Sequence, residues 1–269
     1  PNLPLRDDAS NPSSSGGLLI RAEASAGWGQ GFGDTMLVAD VNNDGVKDLV
    51  ISAPQANGGG KVLIINGLWI QKQLTTSAGT KILDLSDPDS LAGYVTVLTP
   101  SAASGSGDDI SAAAFGSALA FDNVSKTLWI GAPNYQRQLN PGNSTPQSSL
   151  QPIGAVYSYT YAASNPGGWD QNLATPLACA AVGSGGVTIS TDAAVAAIST
   201  YWGSRFGSAI AVNDINVDGS SGIAVSAPGV QASLLYGGSE AVQQELGTGN
   251  TPTSPANAGA LEKIQLPGA

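Results

Sequence analysis

Asp40, Asn42, Asp44 and Asp48 are spaced around Gly45 within the stretch A-D-V-N-N-D-G-V-K-D, residues 39–48. Four oxygen-bearing side chains in one tight loop can converge on a single point. Carboxylates packed that closely repel one another unless a cation sits among them. Hard oxygen donors at this density suit Ca²⁺, which accepts six to eight oxygens in loose geometry. The carbonyl of Val46 would supply a further donor, and Gly45 permits the bend. The predicted metal set is therefore Asp40, Asn42, Asp44, Val46 through its carbonyl, and Asp48, with Ca²⁺ as the cofactor. The plainer reading is an Asx-rich turn without metal, because D-G and N-D clusters form turns readily. Four donors in register exceed what a turn needs.

The elements that must position this loop follow from its flanks. An EF-hand would place a bidentate Glu at the twelfth position and a helix on each side. Counted from Asp40, the twelfth residue is Ile51, and Asp48 already closes the set at the ninth. Met36-Leu-Val-Ala and Leu49-Val-Ile-Ser are short β-prone runs bounded by Gly and Pro, which predicts a cation loop inside a β-hairpin.

Related stretches recur. Phe-Gly pairs stand at Phe32, Phe115 and Phe206, at intervals of 83 and 91 residues, and each is followed by a Ser/Gly-Ala-Pro segment (52–54, 131–133, 226–228). Self-similarity at a fixed period marks a propeller or solenoid. Phe32-Gly33, the D-x-N-x-D-G-x-x-D loop, Ser52-Ala-Pro and the Lys61-Val-Leu-Ile strand together resemble an FG-GAP repeat. Ser52 stands where the name-giving motif has Gly, whereas Gly131-Ala132-Pro133 is intact. Such repeats form the β-propeller of integrin α chains and the C-terminal part of glycosylphosphatidylinositol-specific phospholipase D. The resemblance implies an all-β fold of FG-GAP propeller blades, three of them here, from a ring of seven.

The other two loops depart from the first. In the third repeat Asp214, Asn216 and Asp218 match the first three donors, with Ser220 close by, but Gly222 occupies the ninth position. That loop is predicted to bind Ca²⁺ weakly or not at all. In the second repeat Asp122 and Asn123 are the only early oxygen donors and Lys126 places a positive charge inside the loop, so no calcium is expected there.

The predicted organisation is a loop and a strand from a preceding unit (1–27), then repeats over 28–100, 101–175 and 176–269. The first full repeat motif ends near Leu68–Ile70, and in the connecting region that follows Thr80–Leu85 and Tyr94–Leu98 read as outer strands. Three repeats cannot close a seven-bladed ring, so the terminal blades are expected to bare apolar flanks. The partners expected are the remaining blades on another chain, or further copies of this one; loops folded over the ends would be a third way to cover those flanks.

Composition narrows the function. Charged residues are 11%, Gly numbers 35 and the net charge is −10, which disfavours nucleic acid or an anionic membrane as partner. The chain has no His, which removes Ser-His-Asp and Cys-His catalysis and His-ligated zinc from its own residues. Cys179, among small apolar neighbours, reads as a buried hydrophobe, and as the lone Cys it can form no internal disulfide. No apolar run is long enough to span a bilayer. No leader is visible, and one removed before Pro1 would agree with two sequons, Asn123-Val-Ser and Asn143-Ser-Thr. A loop needing extracellular levels of Ca²⁺ points the same way, to a secreted protein.

Tyr157, Tyr159 and Tyr161 share one strand face, where they could stack on a glycan; packing against the next blade is the favoured reading. Trp28 and Trp202, identically placed, read as blade-packing residues. Asp108-Asp109 and Asp87-Pro-Asp89 read as solvated turn residues. The expectation is a non-catalytic segment for protein or glycan recognition or for scaffolding. The alternative is the propeller part of a phospholipase D-like hydrolase whose zinc domain lies outside this chain.

Overall fold

The computed structural model describes residues 17–29, 31–76, 81–86, 93–102, 107–138, 150–161, 177–178, 182–183, 186–187, 205–213, 221–229 and 260–265. Antiparallel sheets dominate. β1 (Leu18–Arg21) precedes the first blade, built from β2 (Met36–Ala39), β3 (Asp48–Ala53), β4 (Lys61–Ile65) and, after helix α1 (Gly67–Thr76) and β5 (Lys81–Asp84), β6 (Val95–Leu98). The second blade joins β7 (Ala118–Asp122), β8 (Thr127–Ala132), β11 (Ala155–Thr160) and β12 (Leu177–Ala178); a small hairpin of β9 (Gln136–Gln138) and β10 (Leu150–Pro152) is inserted. A short pair, β13 (Val182–Gly183) and β14 (Gly186–Val187), precedes a third sheet of β15 (Ile210–Asn213), β16 (Gly222–Ala227) and β17 (Ala260–Gln265). The innermost strands lie side by side, with β7 against both β2 and β15.

The repeated motif explains this stacking. In each blade the amide of the Phe-Gly glycine donates to the first residue of the Ser/Gly-Ala-Pro segment: Gly33 to Ser52 O at 2.8 Å, Gly116 to Gly131 O at 2.9 Å, Gly207 to Ser226 O at 3.1 Å. The two halves of the motif are thus hydrogen-bonded within one blade. The Phe amide links to the blade before it, from Phe115 to Gly59 O at 2.8 Å and from Phe206 to Ile153 O at 3.1 Å. The next residues, Gly60 and Gly154, have φ of +108° and +78°, and a Cβ there would fall 2.3 Å and 2.2 Å from the carbonyl oxygens of Phe115 and Phe206. Only glycine allows that approach. Ser52 is tolerated in the glycine position of the first blade, where its Oγ accepts the Thr35 amide at 3.0 Å.

One core lies between the first two blades. Val50, Val62 and Ile64 meet Phe115, Leu128, Ile130, Tyr157 and Tyr159. Tyr157 and Tyr159 are buried and their hydroxyls donate to Ser101 O and Thr99 O, so these two rings pack between blades as favoured. Trp28 is buried too, edge-on to Phe32 at 5.6 Å and under the Lys61 ammonium at 5.0 Å. Trp202 lies outside the described residues.

The structure departs from expectation at two points here and adds a helix. Residues 81–84 are not an outer strand of the first blade; β5 pairs in parallel with β1, from Leu18↔Lys81 to Arg21↔Asp84. Leu68–Ile70 lie in helix α1, which Asn66 caps by accepting the Trp69 amide at 3.0 Å. The outward flank of the first blade is not bare. Ile51, Ala53, Leu63 and Ile65 pack beneath Leu18, Ile20 and Leu83 of the β1–β5 pair and beneath Trp69 and Ile70 of α1. What the cover leaves exposed on β2 is Met36 and Val38, 64% and 58% accessible.

Candidate functional site

The hairpin loop between β2 and β3 holds the sequence-predicted donors. Asp40 accepts the Asp44 amide on Oδ1 at 3.0 Å and the Gly45 amide on Oδ2 at 3.1 Å. Asn42 Oδ1 accepts the same Asp44 amide at 3.0 Å, which sets the Asp40 and Asn42 oxygens side by side. Asp44 Oδ1 accepts the Val46 amide at 2.8 Å, while its Oδ2 accepts the side-chain amides of Asn42 at 2.8 Å and Asn66 at 3.2 Å. Gly45, at φ +88°, turns the chain at the centre.

Asp48 behaves differently. It is 1% exposed and begins β3 opposite Ala39. Its Oδ2 accepts the amides of Val41 at 3.1 Å and Asn42 at 3.3 Å, and its Oδ1 accepts the Gly67 amide at 2.8 Å. Burial pushes the carboxyl above its ordinary pKa; the three amide bonds oppose this, and the charge of Asp44 adds to the rise. The structure therefore brings Asp40, Asn42 and Asp44 together and holds Asp48 apart on backbone amides. Among the described residues no three His, Cys, Asp or Glu side chains are gathered as a cation site.

The donor set still suits a hard cation. Every donor is an oxygen, and each carboxylate oxygen can take more than one partner. Asp40 Oδ1 and Oδ2, Asp44 Oδ1 and Asp48 Oδ1 each accept one hydrogen bond among the described residues, which leaves each of them a lone pair for an ion. The Gly67 amide and the Asn66 side chain were not foreseen as parts of this site. Asn66-Gly67 ahead of an apolar run is a helix-start signal, and that signal could have found them.

The loop of the second blade has closed instead. Asp122, 2% exposed, accepts the Val124 amide at 2.8 Å, Ser125 Oγ at 2.6 Å and, from the third sheet, Ser221 Oγ at 2.8 Å. Burial acts to raise its pKa, but these bonds together hold it below the ordinary carboxylate value. Asn123 is exposed in the turn and Lys126 sits at φ +55°. Asp214, Asn216, Asp218 and Ser220 of the third loop lie outside the described residues, as do Asn143, Cys179, Asp87 and Asp89. Asp108 is no solvated turn residue: it accepts the Tyr135 hydroxyl and the Gln138 amide, the latter at 2.8 Å. Asp109 does cap a turn, accepting the Ser111 amide at 2.8 Å.

Antiparallel sheets hydrogen-bonded through Phe-Gly and Ala-Pro segments define an all-β class, consistent with propeller blades of the FG-GAP type. The FG-GAP repeat family model matches residues 32–65, so the first blade from Phe32 to the end of β4 is an FG-GAP repeat. No curated protein matches the chain. No helix among the described residues is long and apolar enough to cross a membrane.

Proposed function

We propose that this chain is a non-catalytic propeller segment for recognition or scaffolding, stabilised outside the cell by Ca²⁺ held in the 40–48 loop. The observation that carries the reading is the clustering of Asp40, Asn42 and Asp44 oxygens around the loop's own amides, with the buried Asp48 held on backbone amides at the loop's end. Residues Asp40, Asn42, Asp44 and Asp48, with the Val46 carbonyl, would hold the ion, which would neutralise crowded carboxylates and pin the hairpin. The chain lacks His, and among the described residues the buried or half-buried acids outside the loop, Asp84, Asp108, Asp109 and Asp122, all have structural partners. This composition supports binding rather than chemistry.

Extracellular modules bind Ca²⁺ with Kd of about 10⁻⁴ to 10⁻³ M. At the tight end, ~1–2 mM free ion stabilises the fold by about 1.5 kcal/mol. Thermal denaturation with calcium and with a chelator tests this. Calcium is expected to raise Tm in the wild type and to have no effect on Asp44→Ala. A full calcium response in Asp44→Ala would overturn the assignment.

A further inference from the structure

A cavity of about 440 Å³ opens beside the first loop, with Asn42, Asn66, Tyr94 and Thr96 on the first blade and Tyr161 reaching it from the second. That volume lies within the range of small-molecule sites, about 300–1,000 Å³. Its lining has a particular chemistry. Tyr94 is 48% exposed, and its ring is braced by Trp69, stacked at 5.6 Å and 27°. A braced ring offers its other face without loss of freedom on binding. Asn42 and Asn66 each donate one amide hydrogen to Asp44 Oδ2, which leaves each the second hydrogen. Thr96 adds a hydroxyl.

Charge narrows the ligand. Among the described residues no Lys or Arg lines the cavity, and the one carboxylate lining it, Asp48, is buried on three backbone amides. An anion would find no cationic partner among these residues. A cationic group would find no free surface charge within the cavity. A flat C–H face to lie on tyrosine, rimmed by neutral hydroxyls to meet amides and Thr96, describes a sugar ring.

We propose that this cavity binds a neutral saccharide, with Tyr94 as the stacking platform and Asn42, Asn66 and Thr96 as hydroxyl partners. The assignment rests on the recognition reading above and names its ligand class. It also makes the 40–48 loop one wall of the site, since Asn42 and Asp48 belong to both.

Saturation-transfer NMR on the full chain, with the methyl glycosides of glucose, galactose, mannose and N-acetylglucosamine, tests the proposal. At least one is expected to give transfer, and its affinity is expected to fall about five- to tenfold in Tyr94→Ala and in Thr96→Val. Tyr94→Phe keeps the platform and is expected to retain most of the affinity. Thr96→Val preserves shape, so a loss there is not a folding effect. No transfer from any of the four, or equal affinity in Tyr94→Ala and Thr96→Val, overturns the site. Chelator melts on the same samples separate the two readings. A calcium-dependent Tm without saccharide binding sinks only the cavity assignment. Saccharide binding without a calcium-dependent Tm sinks only the metal loop.

Discussion

Between β2 and β3 the chain takes eight residues, 40–47; between β7 and β8 it takes four, 123–126. Both hairpins join the first two strands of a blade, and both keep a buried aspartate at the junction, Asp48 in one and Asp122 in the other. In the longer loop Asp40 and Asp44 remain on the surface and hold the loop's own amides. Asp48 sits under the start of α1 on the Gly67 amide. In the shorter loop no residue is left to gather oxygens, and Asp122 is enclosed by Ser125 and by Ser221 from the third sheet. One position in the fold thus supports either an open, oxygen-rich loop or a sealed turn that ties two blades. Loop length and the hydroxyls within reach decide which.

The strongest way to break this comparison is to remove the two buried acids in turn. Asp48→Ala strands the Val41, Asn42 and Gly67 amides in a buried setting and is expected to cost about 3 kcal/mol or more. Asp122→Ala frees two hydroxyls that can turn to other partners, and one amide, so about 1–2 kcal/mol is expected. Urea denaturation of both variants measures the difference. Equal losses would mean that the two aspartates do the same work.

Calcium sharpens the contrast at the next level, through the loops rather than the acids beneath them. Isothermal titration is expected to find one site, or two if the third loop also binds. The calcium gain of about 1.5 kcal/mol is expected to vanish in Asp44→Ala. Lys126→Asp restores an acid to the second loop without restoring its length, and no new site is expected. Three equivalent sites would erase the distinction between the loops.

What the sequence made legible was whatever depends on neighbours along the chain. Phe32-Gly33, Phe115-Gly116 and Phe206-Gly207 are visible because their backbone demands are local, with a left-handed residue ahead of each Phe at Gly31, Ala114 and Arg205. The hairpin around Gly45 was legible for the same reason. The β1–β5 pair was not, because Leu18 meets Lys81 across 63 residues and nothing in either run names the other. Helix α1 was hidden by its composition: Leu68-Trp69-Ile70 reads equally well as strand, and its first turn has no acidic residue. The fate of Asp48 depends on the Gly67 amide arriving 19 positions later, so sequence spacing could nominate it as a ligand but could not show its backbone partners.

Titration offers a smaller, signed test. The Asp48 pKa is raised in the fold, so the native state keeps its proton at pH values where the unfolded chain has lost it. Its contribution therefore falls as pH rises from the ordinary value near 3.8 through the raised folded value. The Asp122 pKa is lowered, so its contribution is present above the ordinary value and is lost as pH falls through the lowered one. Calcium-free melts of Asp48→Asn and Asp122→Asn across the carboxylate range are expected to change the pH dependence with opposite signs. A shared sign would mean that the opposing effects of burial and hydrogen bonding are misassigned at one of the two sites.

The smallest expected effect lies in the backbone of the two loops. Each contains a non-glycine residue in the left-handed region, Asn43 at φ +57° and Lys126 at φ +55°. Asn tolerates that region because its short amide can bond locally, whereas Lys meets the Cβ clash without compensation. The longer loop has thus placed a suitable residue at its strained position, and the shorter one has not. Lys126→Asn is expected to stabilise the protein by about 0.5–1 kcal/mol, and Asn43→Lys to destabilise it by a similar amount. Because Lys126 is a cation, Lys126→Gln serves as the control that removes the charge and keeps the strain. If Lys126→Gln stabilises as much as Lys126→Asn in urea denaturation, charge and not backbone geometry is what distinguishes that turn. If only the Asn variant gains, the difference between the hairpins extends to single dihedral angles.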